Sequence, residues 1–287
     1  MEDQASGLRN IVNSSKLKSN VRTIAVTSGK GGVGKTNIST NLAIMLALMK
    51  KKVLIFDADM GLANIDILLG IHPKYNLQHV ISGEKSLEEI LVDGPAGIKI
   101  IPASSGFQSL TELDDYQRDT LINEFGVIQS AVDYLIIDTG AGISKNVTEF
   151  IKAAGEAIVV TTPEPTAITD AYALIKVLSG ECEDLKIHLF VNMAGDLKEA
   201  KEVETKLKSV VDKFIGISIN AIGFMTKDPS VVASIRKQAP FVLDNTRCHA
   251  TACIKNLAKS LCNCTVREKD KSLVNFAAQI TGVETGQ

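Results

Sequence analysis

Residues Gly29 to Thr36 read Gly-Lys-Gly-Gly-Val-Gly-Lys-Thr, the G-x-x-x-x-G-K-[ST] spacing that wraps a polyphosphate. Gly29, Gly31, Gly32 and Gly34 let the backbone curl, so successive N–H groups through Val33 and on to Asn37 point inward at anionic oxygens. The helix that opens at about Gly34 aims the positive end of its dipole at the same charge. Lys35 is then placed for the β- and γ-phosphates and the Thr36 hydroxyl for Mg²⁺.

Further chemistry follows at the ends of later apolar runs. Val53–Phe56 leads into Asp57 and Asp59, which are two apart on an extended chain and can share one side, serving Mg²⁺ and water, or else cap the turn that follows. Tyr134–Ile137 delivers Asp138 and then Thr-Gly-Ala-Gly, a carboxylate to hold Mg²⁺ through water. In that loop Gly140 and Gly142 provide freedom to respond to a γ-phosphate. Ile187–Val191 ends at Asn192, whose amide complements the N6/N7 edge of adenine. Ala221–Met225 precedes the loop Thr226–Pro229, which places Met225 and Pro229 beside the base. No N/T-K-x-D guanine-reading motif follows these strands, so ATP with Mg²⁺ is the expected ligand pair.

These groups need a scaffold that brings strand ends together. Val21–Thr27 is β-branched and apolar, and Asn37–Met49 carries apolar residues at helical spacing, so the loop lies between a buried strand and a helix. Strand and helix signals alternate throughout the 287 residues. That pattern predicts an α/β protein, a three-layer P-loop NTPase fold whose mostly parallel central sheet is flanked by helices. A hydrophobic content of 45% supports a substantial core. A formal net charge of −2 provides no global basic field, so direct DNA binding is not expected. Apolar runs fall short of the ~18 residues of a membrane span and the first residues are polar, so the expected compartment is the cytoplasm. The five cysteines are odd in number. Cys248, Cys253, Cys262 and Cys264 cluster without a C-x-x-C and read as packing residues rather than as metal ligands.

Lys30 stands five positions before Lys35. It cannot easily fold back onto phosphates that its own loop already wraps, and so is either solvated or placed to reach a nucleotide held by a second copy. The pattern K-G-G-x-G-K-T resembles the deviant Walker A class that includes MinD, ParA and the nitrogenase iron protein. The resemblance implies that Lys30 crosses to the partner's phosphates, making ATP binding and homodimer formation one event. It further implies that Asp59, in switch I, orients the attacking water near the metal, and that Glu164 lies by the ribose at the interface. On this basis Lys30 and Asp59 form the expected catalytic pair.

Asp3-Gln-Ala-Ser-Gly-Leu-Arg9, Asp59-Met-Gly-Leu-Ala-Asn-Ile-Asp66, Ile101-Pro-Ala-Ser-Ser-Gly106 and Ile168-Thr-Asp-Ala-Tyr-Ala-Leu-Ile-Lys176 resemble the FlhG/FleN family of MinD-like regulators of flagellar number. That likeness implies three regions: an activator segment at 1–20, an ATPase domain at 21–265 and an amphipathic tail at 266–287. The first would engage an FlhF-type GTPase through Gln4, Leu8 and Arg9. Other partners implied are flagellar switch-complex proteins and a flagellar transcription regulator. In the tail Leu273, Phe276, Ala277 and Ile280 form an apolar stripe, for reversible contact with the inner membrane surface or for packing on the protein itself. The rivals are a MinD/ParA-type division or DNA-partitioning ATPase and an Mrp-type iron–sulfur carrier.

Overall fold

Runs such as Leu54-Ile-Phe and Leu135-Ile-Ile are apolar at every position, which suits strands covered on both faces. In the computed structural model, which describes residues 21–59, 64–102, 110, 113–182, 184–263 and 272–283, they lie in an eight-stranded sheet. Its strands are β1 (Arg22–Ser28), β2 (Val53–Ala58), β3 (Val92–Asp93), β4 (Lys99–Ile101), β5 (Tyr134–Ala141), β6 (Glu156–Thr161), β7 (Lys186–Ala194) and β8 (Asn220–Thr226). The order is β3-β4-β2-β5-β1-β6-β7-β8. Only β3 and β4 pair antiparallel.

Side chains alternate across this sheet and feed two cores. Ile24 and Val26 of β1 join Leu42 of α1 (Lys35–Leu48), Phe241 of α10 (Phe241–Asp244) and Leu257 of α11 (His249–Asn263). Ala25 faces the other way, into the layer of α5 (Asp115–Ile128), α6 (Lys145–Ala154), α7 (Pro165–Glu181) and α8 (Leu197–Ile215). Short helices α2 (Asn64–Leu69), α3 (Leu77–Ile81), α4 (Leu87–Ile90) and α9 (Pro229–Arg236) complete the connections.

The C-terminal stripe is part of the core. α12 (Leu273–Ile280) packs against α5 and α6. Leu273, Phe276, Ala277 and Ile280 are all at most 1% exposed. Phe276 meets Phe125 edge to face at 5.8 Å, and the Gln129 side-chain oxygen accepts hydrogen bonds from the Ser272 hydroxyl and the Val274 N–H. Of the two roles open to the stripe, membrane contact and packing on the protein, the structure shows the second: α5 and α6 leave an apolar slot that it fills. No helix among the described residues is long and apolar enough to cross a membrane.

At the N-terminal ends of the central strands lies a buried ionic knot. Arg22 donates two hydrogen bonds to Glu156, at 2.8 and 2.6 Å, and a third to the Leu261 carbonyl. His188 Nε2 lies 2.5 Å from the same carboxylate. Burial would raise the Glu156 pKa, but the hydrogen bonds from His188 and Arg22 outweigh it and hold the carboxyl down to about 2.

Candidate active site

β2, β5 and β1 are neighbours, and their C-terminal ends bring the chemistry together. Asp57 is in register with Asp138, which is in register with Val26 just before the phosphate loop. A parallel sheet places ligand sites outside such strand ends.

Gly34 caps α1 at φ 91° without a side-chain hydrogen bond. The first N–H groups of the helix therefore have no side-chain partner and suit an anion. Nothing lies within 4 Å of the Cβ positions of Gly31 and Gly32, so the cradle is open. Lys35 is 9% exposed. Burial lowers its pKa against the pull of Asp138 and Asp59.

Asp138 is fully buried, and neither carboxylate oxygen has a hydrogen-bond partner of ordinary geometry. Burial pushes its carboxyl up to about 6, opposed by Thr36, Lys35 and Ser39. A buried carboxylate beside the Thr36 hydroxyl, with oxygens not committed to well-formed hydrogen bonds, fits a hard divalent cation. Mg²⁺ takes one or two carboxylates and fills its other positions with phosphate and water, so a lone deep aspartate suffices.

Asp59 accepts a hydrogen bond from the Asn64 amide at 2.9 Å, and one of its oxygens lies 3.7 Å from the Cβ position of Gly140. Asp59, just past β2, is thus adjacent to Gly140 near the end of β5. Asp57 plays a different part. Its carboxylate accepts the N–H groups of Asp59 and Ile65, each at 3.2 Å, and burial together with Asp138 pushes it to about 8. It links the backbone just past β2 to the start of α2.

Lys30 is paired outside its own loop. Its ammonium lies 2.8 Å from Glu164 and 2.9 Å from the Thr166 hydroxyl, at the start of α7. The Glu164 carboxyl is held below the usual range by that lysine. Glu164 and Lys30 thus share one exposed face, and Thr166 joins them unforeseen, since nothing local in the sequence links residues 136 apart.

Asn192 lines the cavity where it was expected, and has internal partners as well. It is 2% exposed, its amide donates to the Val33 carbonyl at 2.8 Å and its oxygen accepts from the Met193 N–H. The groups expected to read adenine already fasten the phosphate loop to β7. Beside it opens a cavity of about 700 Å³ lined by Gly34, Asn37, Met225, Thr226, Asp228 and Pro229 among others, within the usual size of small-molecule sites. Met225 and Pro229 are where a base would lie. Gln4, Leu8 and Arg9 fall outside the described residues. Cys248, Cys253 and Cys262 pack against the core, and among the described residues no group of three or more His, Cys, Asp or Glu could hold a metal.

A family model described as an AAA domain matches residues 21–190. Antiactivator FleN of Pseudomonas aeruginosa is 42% identical over 241 residues, 84% of this chain and 86% of FleN. Flagellum site-determining protein YlxH of Helicobacter pylori is 42% identical over 217 residues, 73% of each protein. The chain belongs to the FleN branch of the MinD/ParA-type ATPases. Among solved structures, the MinC:MinD cell division complex of Aquifex aeolicus contains a chain that superimposes with a TM-score of 0.69 at 28% identity, covering 86% of this chain and 98% of its own. Members of this family share the parallel sheet described above, so the expected P-loop fold holds.

Proposed function

We propose that the chain is an ATP-dependent dimerising switch that regulates flagellar number and placement. The observation that carries this reading is Lys30, set in a phosphate loop yet paired with Glu164 outside it. The ATP phosphates would follow Gly29–Thr36 with Lys35 on the β/γ oxygens, and the base would enter the cavity by Met225 and Pro229. Mg²⁺ would be held by Thr36 and, through water, by Asp138, with Asp59 nearby; bound there it neutralises charge developing on the γ-phosphate. Asp59 orients the attacking water. Lys30 exchanges Glu164 for the phosphates of a second copy, so hydrolysis is confined to the dimer and its rate sets the dimer's lifetime.

YlxH is named a flagellum site-determining protein, which supports the flagellar assignment, and FleN an antiactivator. On this reading the dimer engages an FlhF-type GTPase through residues 1–20, switch-complex proteins and a transcription regulator. It is cytoplasmic and meets the membrane reversibly only when α12 leaves its slot.

The test is Lys30→Ala. The variant should bind ATP but stay monomeric in light scattering with ATP and Mg²⁺, with hydrolysis reduced by roughly 10³-fold or more, the scale of a charge supplied in trans. Normal dimerisation and turnover would refute the cross-dimer role. Flagella counted per cell should be abnormal in a strain carrying only this variant; a wild-type count argues against the flagellar role.

A further inference from the structure

We infer that Asp228 is a positioning residue for nucleotide binding, fixing the base-side wall of the cavity by capping two helices with one carboxylate. This rests on the ATP reading above. Oδ1 accepts the Ser230 N–H at 2.8 Å, at the start of α9, and Oδ2 accepts the Ala250 N–H at 3.0 Å, in the first turn of α11. Helix N-termini present N–H groups with no intrahelical partner and partial positive charge. Two such ends brought to one place repel each other unless an anion lies between them. Asp228 is that anion. Burial alone would raise its pKa, yet the bonds from Ser230 and Ala250 hold the carboxyl below the usual range.

The segment so held is the wall itself. Thr226, Asp228 and Pro229 line the cavity, with α9 beyond them, opposite Gly34 and Asn192. Two further ties fix the same loop: the Lys227 N–H donates to the Ala194 carbonyl at 2.9 Å, and the Thr226 hydroxyl lies 3.0 Å from His249 Nδ1. Pro229 at the first helical position presets the turn into α9. A base slotted here meets a surface that is already organised, so little ordering cost falls on binding.

A second consequence concerns base choice. Guanine presents N–H donors at N1 and N2, which call for a facing acceptor pair. Asp228 is the carboxylate lining the cavity, and both of its oxygens point at backbone N–H groups. Turning that carboxylate to the N1–H and N2–H edge of guanine would compete with the two helix caps.

The experiment titrates a fluorescent ATP analogue into full-length wild type, Asp228→Ala, Asp228→Asn and Thr226→Val, with KM, kcat, ATP/GTP competition and thermal midpoints in parallel. Asp228→Ala should raise Kd and KM for ATP about tenfold, the size of one charge-assisted hydrogen bond, while kcat changes far less. Asp228→Asn should behave similarly, because its NH₂ meets a donor where the carboxylate had an acceptor. Thr226→Val should shift the same way by about two- to threefold, and it decides the matter if Asp228→Ala unfolds. Unchanged KM in folded variants, or a fall in kcat alone, overturns the assignment. If wild type binds no ATP, the nucleotide reading itself fails, and this one with it.

Discussion

A Cβ added at Gly29 would lie 2.2 Å from the Asp170 carbonyl oxygen, whereas one added at Gly31 meets nothing within 4 Å. The two glycines of one motif therefore serve different ends, and substitution should separate them. Gly29→Ala forces the loop off the backbone of α7 and should cost at least ~2 kcal/mol of stability, seen in chemical denaturation. Gly31→Ala should keep a normal unfolding midpoint yet weaken ATP binding, because its methyl occupies the cradle. Lys35, Thr36 and Asp138 were legible from sequence because loop and strand-end spacing determine their place. Asn192 was found, but its bond to Val33, 159 residues away, was not. Asp228 was not singled out; its bond to Ala250, 22 residues on, depends on tertiary packing.

At the scale of elements, the long strands followed from apolar runs bounded by chemistry. β3 and β4 escaped notice because two and three residues are too few to show a period. α12 was found as a helix with the right stripe, but two surroundings stayed open for it. Periodicity says that a face must be covered; it does not say by what. The packing against α5 and α6 makes a firm prediction. Phe276→Ala should destabilise the protein by about 3–5 kcal/mol, as removal of a buried aromatic does, and truncation after residue 271 should lower the thermal midpoint and expose dye-binding apolar surface. A tail independent of the domain would leave both measurements unchanged.

For the molecule as a whole, the Glu156 knot links β1, β6, β7 and α11, so its titration should register in global unfolding. The folded pKa near 2 lies below the ordinary carboxylate value of about 4.3. Its contribution is therefore complete above that ordinary value and is lost as pH falls from there toward 2, up to about 3 kcal/mol. Denaturation measured between pH 5 and 2 should show this slope in wild type. Glu156→Gln should flatten the slope and be less stable at pH 7, because Arg22 is left buried without its partner. The sheet order carries a separate consequence. The strand-end carboxylates Asp59 and Asp138 lie to one side of the phosphate loop, and the cavity walls built on β7, β8 and α9 lie to the other. On the proposed reading, the carboxylates that act on the γ-phosphate and the walls that hold the base are set in opposite halves of the molecule. Lineages could then retune the clock without altering the grip.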